Sequence, residues 1–249
     1  MFSLTAKRAL VTGGSRGIGR AIAVGLAAAG SHVAVTGRRA ETLAGTVSAI
    51  RARGRKAVAI VADVREVADC RRAADETVAA LGGLDILINN AGVEQVCAAL
   101  EVSEEIWDRI ADTNLKGAFF MAQAAARQMK VGGAILNIAS LTSERGIATA
   151  APYGALKSGL IGITRALAAE WASLGIRVNA LEPGYFRTDL TDAFYRNAAW
   201  QAAMLGKIPL GRFGALNDLV GAAVFLCSPA ASYITGIALP VDGGTLAAL

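Results

Sequence analysis

The sequence predicts a doubly wound α/β fold of Rossmann type, in which one seven-stranded parallel β-sheet carries helices on both faces. Short β-rich runs alternate with longer helical patterns along all 249 residues. The β-rich runs are almost continuously apolar, which is typical of strands covered on both faces. No composition shift, linker or repeat divides the chain, so we expect residues 1–249 to form a single domain.

The elements follow one another in the order that such a fold requires. Seven short apolar runs predict strands at 8–12, 32–36, 57–61, 85–89, 134–139, 176–181 and 237–241. The longer segments between them predict helices at 17–29, 39–53, 65–81, 103–129, 152–173 and 217–227. Because helical segments separate the strands, we expect the strands to be parallel.

The segment of residues 185–213, here called the lid segment, is longer than a simple crossover needs. Its large apolar side chains include Tyr185, Phe186, Phe194, Tyr195, Trp200, Met204 and Leu205. One interpretation is a small helical excursion that packs its own core. We favour a helical substrate lid over the carboxyl edge of the sheet, because a long insertion in a compact domain is usually functional.

Composition argues against several classes of protein. Gly, Arg and Asp interrupt the apolar runs well short of the ~18 residues that a membrane span needs, and no secretory signal pattern is present. We therefore expect a cytoplasmic protein without a membrane partner. Cys70, Cys97 and Cys227 lack metal-ligand spacing, and His32 is the only histidine, so reduced thiols and no metal site are expected. The net charge of +5 is dispersed without interleaved aromatic residues, which argues against a nucleic-acid partner.

A glycine-rich loop, Thr12-Gly13-Gly14-Ser15-Arg16-Gly17-Ile18-Gly19, joins the first predicted strand to the first predicted helix. Gly13 permits a tight turn, Gly17 lets the backbone approach a phosphate, and Gly19 allows close packing of helix on strand. The helix N-terminus adds N–H groups and a positive dipole end, both suited to an anion. The loop therefore predicts dinucleotide binding.

The end of the second predicted strand indicates which dinucleotide is bound. Gly37 stands where NAD-binding folds commonly carry a carboxylate for the ribose hydroxyls. Arg38 and Arg39 follow, and Arg16 lies in the glycine loop; guanidinium groups bind a 2′-phosphate that a carboxylate would repel. We therefore predict NADP(H); the alternative is that Arg38 and Arg39 are surface charges at a helix start. The later strand ends add Asp63 for the adenine amino group and Asn90, Ala91 and Gly92 near the ribose.

Tyr153 and Lys157 are four residues apart in a predicted helix, so their side chains share one face. A nearby ammonium lowers the pKa of a tyrosine from about 10, so Tyr153 can exchange a proton with the alkoxide that hydride addition forms. Ser140, at the end of the fifth strand, can hold the carbonyl oxygen. Asn114 lies inside a predicted helix, where it either orients a water toward Lys157 or marks a kink.

These motifs, together with NNAG at 89–92, Pro183-Gly184 and VDGG at 241–244, resemble the short-chain dehydrogenase/reductase family over essentially the full length. The resemblance implies a catalytic tetrad of Asn114, Ser140, Tyr153 and Lys157, with Lys157 also touching the nicotinamide ribose. It implies further cofactor contacts from Ile18, Val64, Asn90, Pro183, Gly184, Phe186 and Thr188. It also implies a homotetramer, built partly from the helices that hold Asn114 and Tyr153.

Within the family, residues 170–172, 183–188 and 221–226 look most like bacterial gluconate 5-dehydrogenases, and somewhat like 3-oxoacyl-carrier-protein reductases. Two features depart from the sugar-acid relatives: Glu182 precedes Pro183, and residues 93–96 contain Glu94 and no basic residue. An acidic rim would disfavour a carboxylate substrate, although Arg145 or Arg187 can bind one.

The sequence thus predicts an NADP(H)-dependent oxidoreductase that reduces a ketone to a secondary alcohol, and catalyses the reverse, with Tyr153 as general acid and base. We expect a sugar acid, a polyol or another small ketone or alcohol as substrate. Two alternatives stay open. A 3-oxoacyl-carrier-protein reductase would use a basic surface of Arg187, Arg196, Lys207 and Arg212. A non-catalytic NADP-binding protein would be expected to have lost the tyrosine or the lysine.

Overall fold

A computed structural model describes residues 1–130, 132–188 and 191–248 of the chain. Seven strands in these residues form one parallel sheet: β1 Arg8–Val11, β2 His32–Gly37, β3 Ala57–Val61, β4 Ile86–Asn89, β5 Gly133–Ile138, β6 Ile176–Pro183 and β7 Ala238–Val241. Their order in the sheet is β3-β2-β1-β4-β5-β6-β7. Each strand end lies within two residues of its predicted position, and the predicted doubly wound α/β fold is confirmed.

Helices cover both faces of this sheet. In the described residues they are α1 Gly17–Ala28, α2 Ala40–Arg51, α3 Val67–Leu81, α4 Glu104–Ala111, α5 Gly117–Gln128, α6 Ala151–Trp171, α7 Asp192–Tyr195, α8 Ala198–Leu205 and α9 Leu216–Cys227, with 3₁₀ turns at Ala99–Glu101, Leu141–Ser143, Ala172–Leu174 and Pro229–Ala231. The single helix predicted over 103–129 is two α-helices separated by a π-helical turn, Asp112–Lys116. None of the helices that the structure describes has the length and apolar character needed to cross a membrane.

Successive residues of the central strands face opposite sides of the sheet, and both sides are buried. Leu10 and Leu87 pack with α3, α5 and α6 in one apolar layer, which includes Met121. Val11 and Ile88 pack with α1, α2 and α9 in the other layer. Burying a side chain of this size contributes about 1.5–3 kcal/mol. The two layers therefore hold the carboxyl ends of the strands in fixed positions.

The chain changes direction across the sheet at β1 and β4, which pair side by side with Val11 opposite Ile88. The crossovers that follow β1 and β2 lead to one edge of the sheet, and those that follow β4 lead to the other. The loops after these two strands diverge, which leaves a crevice at their carboxyl ends where doubly wound folds bind ligands. The glycine loop begins after β1 at this place, and Asn90 follows β4.

The lid segment contains α7, α8 and an aromatic cluster around Trp200. The Trp200 ring centroid lies 5.1 Å from that of Tyr195, 5.5 Å from that of Phe194 and 6.1 Å from that of Phe213. The segment thus packs a small core of its own, as one interpretation expects. Several of these rings also line a cavity at the carboxyl ends of the strands, here called the main cavity, as a lid requires. Residues 189 and 190 of this segment lie outside the described residues.

Candidate active site

A cavity of about 650 Å³ lies at the carboxyl ends of the central strands, and its size suits a small-molecule site. Its walls come from the glycine loop, the loops after β2 to β6, the first turns of α6 and the lid segment. The predicted cofactor and catalytic residues all line it, with two exceptions, Arg39 and Asn114. One cavity therefore joins the nucleotide loop to the tyrosine–lysine pair.

The glycine loop has a backbone that only glycine adopts easily. Gly13 and Gly17 have φ angles of 63° and 53°, in the left-handed region. A side chain at Gly13 would place its Cβ 2.9 Å from the Cα of Ala91, and a side chain at Gly19 would collide with the Asn90 amide. Among the residues that the structure describes, no side chain caps the N-terminus of α1, so the N–H groups of its first turn suit a ligand. The cradle fits a pyrophosphate.

Thr12 and Asn90 brace this loop against the end of β4. The Thr12 hydroxyl oxygen accepts hydrogen bonds from the backbone N–H groups of Asn90 and Ala91, both at 3.0 Å. The Asn90 amide donates to the carbonyl of Thr12 at 2.9 Å and to that of Gly13 at 3.1 Å. Asn90, which the sequence predicts as a cofactor contact, thus holds the glycine loop in position.

Of the arginines predicted to select a 2′-phosphate, Arg16 and Arg38 line the cavity and Arg39 does not. The side chain of Arg39 is 72% exposed and lies 3.8 Å from Glu41. The backbone of Arg39 is extended, and successive side chains of an extended chain point in opposite directions. Arg39 therefore lies at the surface at the start of α2, outside the cavity wall that Arg16 and Arg38 line, and its role toward the cofactor stays a prediction.

Asp63 lines the cavity after β3, as predicted, but it is not a lone acceptor. Its carboxylate forms a 2.6 Å ion pair with Arg65, and this hydrogen bond holds the pKa of Asp63 below its ordinary value despite partial burial. A carboxylate has lone pairs for further donors, so it can still accept from an adenine amino group. Arg65 also lines the cavity, although no motif of the sequence indicates it.

The reacting groups come together as predicted. Tyr153 and Lys157 lie on one face of α6, with the Lys157 Nζ 5.5 Å from the centroid of the tyrosine ring. Lys157 is buried, and its Nζ donates a hydrogen bond to the Ile138 carbonyl at 2.6 Å. Ser140 follows β5, accepts a hydrogen bond from the Thr142 N–H at 3.2 Å and acts on Tyr153 to lower the pKa of its phenol. The end of β5 thus fixes both the serine and the lysine.

The protonation of this pair differs from expectation. Burial and the carboxylate of Glu94 raise the pKa of Tyr153 above its ordinary value, while the hydrogen bond with Ser140 lowers it. Burial lowers the pKa of Lys157 to about 8, and Glu94 acts against that change. The expectation that Lys157 brings the pKa of Tyr153 below 10 is therefore wrong for the protein's own groups, because desolvation of the phenolate dominates. Burial therefore favours the protonated phenol of Tyr153.

Asn114 lies in the π-helical turn between α4 and α5, and it is buried behind the cavity. Its side-chain oxygen accepts a hydrogen bond from the Val93 N–H at 2.8 Å, and its amide donates to the Val93 carbonyl at 2.8 Å. A π-turn inside a helix often marks a functional site. The side chain of Asn114 therefore holds the loop after β4 in place.

The loop after β6 closes the cavity opposite α6. Pro183, Gly184, Phe186 and Thr188 line it, as predicted. Gly184 packs against Asp242, since an added Cβ would lie 2.7 Å from the Asp242 Cα. A Cβ at Gly17 would lie 3.6 Å from Thr188. The loop after β6 therefore meets the glycine loop across the cavity.

The charged residues expected to govern the substrate are distributed differently. Glu94 lines the cavity, whereas Glu182 is buried in a second cavity with Glu144 and Arg165. Burial, with Glu144 nearby, raises the pKa of Glu182 to about 7. Glu182 therefore does not form an acidic rim to the main cavity, because its side chain lines the second cavity instead.

The basic candidates are similarly divided. Arg145 donates a hydrogen bond to the Ala248 carbonyl and does not line the main cavity. The other arginines proposed for an acidic substrate or carrier are exposed and paired with carboxylates: Arg187 and Arg196 with Asp192, and Arg212 with Asp218. Lys207 does line the main cavity. It is therefore the lid-segment cation placed to meet a small substrate.

Comparison with known proteins agrees with this geometry. A family model described as enoyl-(acyl carrier protein) reductase matches residues 13–245, from the glycine loop to beyond β7. The chain belongs to the short-chain dehydrogenase/reductase family. The predicted family is confirmed, and this short-chain dehydrogenase is accordingly an oxidoreductase by family.

Its relatives include both predicted types. It is 42% identical over 249 residues to the 2-dehydro-3-deoxy-D-gluconate 5-dehydrogenase of Escherichia coli (strain K12), covering 99% of this chain and 98% of that protein. It is 43% identical over 241 residues to a 3-oxoacyl-[acyl-carrier-protein] reductase of Staphylococcus aureus (strain Mu50), covering 96% and 97%. A crystal structure of a gluconate 5-dehydrogenase from Burkholderia cenocepacia J2315, in complex with NADP and tartrate, matches with a TM-score of 0.96 and 40% identity, covering 100% of this chain and 98% of that one.

Proposed function

We propose that this short-chain dehydrogenase is an NADP(H)-dependent oxidoreductase that interconverts a ketone and a secondary alcohol. The observation that carries the proposal is the single cavity that joins the glycine loop to Ser140, Tyr153 and Lys157. A nucleotide on the loop and a carbonyl compound at the tyrosine would therefore lie in one continuous space. That arrangement is what transfer of a hydride together with a proton requires.

The residues of the cavity fit the cofactor. The first turn of α1 would hold the pyrophosphate, and Asp63 with Val64 would meet the adenine. Arg16 and Arg38 would take the 2′-phosphate, and no carboxylate stands at Gly37, the end of β2, to repel it. The matching gluconate 5-dehydrogenase from Burkholderia cenocepacia was crystallised with NADP, which supports NADP(H) for this chain.

The chemistry divides between cofactor and protein. NADP(H), when bound, supplies or takes up the hydride. Ser140 orients the carbonyl oxygen, and Tyr153, kept protonated by burial and Glu94, donates its proton to that oxygen as negative charge develops. The ammonium of Lys157, fixed by the Ile138 carbonyl, then stabilises the phenolate that is left. In the reverse direction the same phenolate removes the hydroxyl proton of the alcohol.

The substrate that we favour is a sugar acid or a related polyhydroxy ketone. The Escherichia coli and Burkholderia cenocepacia relatives are named for gluconate-type substrates. Lys207 offers a cation to a carboxylate, and the aromatic rings of the lid segment would cover the sugar carbons. We propose that residues 185–213 act as a lid on a single domain and that the enzyme works in the cytoplasm.

Tyr153→Phe tests the proposal. The variant should keep NADPH binding, measured by fluorescence titration, and should lose about 10²–10⁴-fold in kcat with 5-keto sugar acids, followed by NADPH absorbance. Tyr233→Phe is the matched control, since Tyr233 is fully exposed away from the cavity. Undiminished turnover in Tyr153→Phe would refute the role of the phenol.

A second candidate is a 3-oxoacyl-carrier-protein reductase, because the Staphylococcus aureus relative and the family description both concern acyl-carrier substrates. The exposed arginines that would receive an acidic carrier are paired with carboxylates, which weakens this candidate. Assaying acetoacetyl thioesters beside 5-keto sugar acids separates the two. A non-catalytic NADP-binding protein would reduce neither.

We also propose that the protein is a homotetramer. Trp107 on α4 is 44% exposed, and aromatic side chains are enriched at protein–protein interfaces. This helix belongs to the region that the family resemblance places at a subunit contact. Light scattering after size-exclusion chromatography measures the assembly directly.

A further inference from the structure

Glu94 is an acidic side chain placed at the reacting end of the cavity. It lines the cavity together with Tyr153 and Lys157, and its charge acts on both of them. Its position is fixed through its neighbour, because Asn114 holds both backbone polar groups of Val93 at 2.8 Å. The fold therefore holds the backbone beside Glu94 in place at the wall of the cavity.

The carboxylate of Glu94 has no hydrogen-bonding or ion-pairing side chain or backbone partner within the described ranges 1–130, 132–188 and 191–248. It is nevertheless partly buried, and burial raises its pKa while Lys157 lowers it. Removing a carboxylate from water without supplying donors is unfavourable. A ligand that brings a donor to this place would offset that penalty.

When no ligand donates a hydrogen bond to it, the Glu94 carboxylate opposes proton transfer from Tyr153. A negative charge near Tyr153 opposes formation of the phenolate. A substrate group that neutralises or hydrogen-bonds Glu94 would weaken that opposition at the moment the proton leaves the tyrosine. A substrate carboxylate at this place would instead add a second negative charge.

We propose that Glu94 is a specificity-determining residue, which binds a hydroxyl or ammonium group close to the reacting carbonyl and excludes a carboxylate from that end of the pocket. The inference rests on the proposed function and narrows its substrate class. A sugar acid oxidised at carbon 5 fits, since the hydroxyl-bearing carbons flank the reacting carbon and the carboxylate is four bonds away. Lys207, in the lid segment, is the cation that meets that distant carboxylate.

The test compares tartrate with threitol, which have the same four-carbon diol skeleton but end in carboxylates and in hydroxymethyl groups respectively. Each is titrated calorimetrically into the NADP⁺-loaded enzyme. Glu94→Gln should bind tartrate at least about tenfold more tightly than the unmodified enzyme, because a like charge has been removed. Its affinity for threitol should change less than about threefold, since an amide still accepts and donates hydrogen bonds.

Glu101→Gln is the matched control, because it removes the same formal charge from an exposed residue outside the cavity. Equal tartrate binding by Glu94→Gln and the unmodified enzyme overturns the proposal. So does an equal gain in Glu101→Gln, which would indicate a general charge effect, or an equal gain for both ligands. Binding needs no turnover, so an enzyme that reduces no ketone would contradict the proposed function without deciding this inference.

A matched ketone series provides the kinetic counterpart. The compounds CH₃–CO–CH₂–X carry a methyl, a hydroxyl, an ammonium or a carboxylate as X. Glu94→Gln should lower kcat/KM for the ammonium compound and raise it for the carboxylate compound, each relative to the methyl compound. A common factor for all four would mean that Glu94 acts on Tyr153 and Lys157 alone, and would overturn its role in specificity. The hydroxyl and ammonium arms separate neutral from cationic substrates.

Discussion

Replacing Asn114 with alanine distinguishes two roles of this residue. In one role, the amide positions a water for proton transfer toward Lys157. In the other, it holds the loop after β4 through its two bonds with the backbone of Val93, each 2.8 Å long. Only the second role predicts a large loss of stability.

The size of that loss follows from the contacts. A hydrogen bond contributes about 1 kcal/mol net, and a buried partner left without one costs about 1–3 kcal/mol. The backbone of Val93 is partly accessible to water, so water can replace some of what is lost. We therefore expect Asn114→Ala to lower the free energy of unfolding by about 2–3 kcal/mol, a large part of the 5–15 kcal/mol typical of a domain.

The assay is urea unfolding at one fixed protein concentration, beside kcat and KM with NADPH. Asn179→Ala is the control: Asn179 is equally buried, and it bonds the Ile234 carbonyl at 3.0 Å and the Ile237 N–H at 3.2 Å, away from the main cavity. Both variants should lose similar stability, because each breaks two bonds to the backbone. Only Asn114→Ala should lose kcat/KM by tenfold or more, an order-of-magnitude figure for a displaced catalytic loop.

A stable Asn114→Ala variant with a large loss of kcat would refute the reasoning, and would favour the water relay. Asn114→Asp sharpens the comparison, because an ionised carboxylate can accept from the Val93 N–H but cannot donate to its carbonyl. We expect its stability to be at most that of the alanine variant, since the carboxylate would face the Val93 carbonyl oxygen.

Two further predictions concern charge. Arg38→Asp should lower kcat/KM for NADPH by about 10–100-fold with little loss for NADH, because a charge-assisted bond contributes about 1.5–3 kcal/mol. Arg39→Asp, whose side chain lies outside the cavity, should change neither kcat/KM value. Equal effects of the two variants would mean that only long-range charge is involved. The rate of ketone reduction should fall as pH rises through about 8, where Lys157 loses its proton. In Glu94→Gln this fall in rate should occur at lower pH, because Glu94 raises the pKa of Lys157. The measurement is a plot of log kcat/KM against pH, and a fall at unchanged or higher pH would contradict its assignment to Lys157.

The sheet was predictable because its strands are short apolar runs separated by helical patterns. Val33 to Val35 and Ile86 to Ile88 are buried on both faces, so their sequence has no polar interruption to confuse the pattern. The helix over 103–129 was only partly predictable. Asn114 indicates an irregularity inside that helix, because asparagine is a poor mid-helix residue. Its bonds with Val93 join residues 21 positions apart, so the local sequence does not reveal them.

The chemical residues were predictable because motifs tie residue type to position. Gly13 and Gly17 adopt left-handed backbone conformations that the loop needs, and Tyr153 and Lys157 share a helix face by spacing alone. A run of two arginines does not reveal that Arg38 lines the cavity and Arg39 does not. The direction of each arginine side chain depends on the extended backbone after β2, where successive side chains point in opposite directions.

The protonation of Tyr153 shows what spacing cannot supply. A lysine one turn away predicts a lowered tyrosine pKa only if the lysine charge outweighs the loss of water around the phenolate. The fold buries both groups and brings Glu94, fifty-nine residues earlier in the chain, to the same cavity. Burial and that carboxylate reverse the expected direction. The residues that we propose for the reaction are thus visible in the sequence, while the balance of charges around them depends on a loop that Asn114 holds in place.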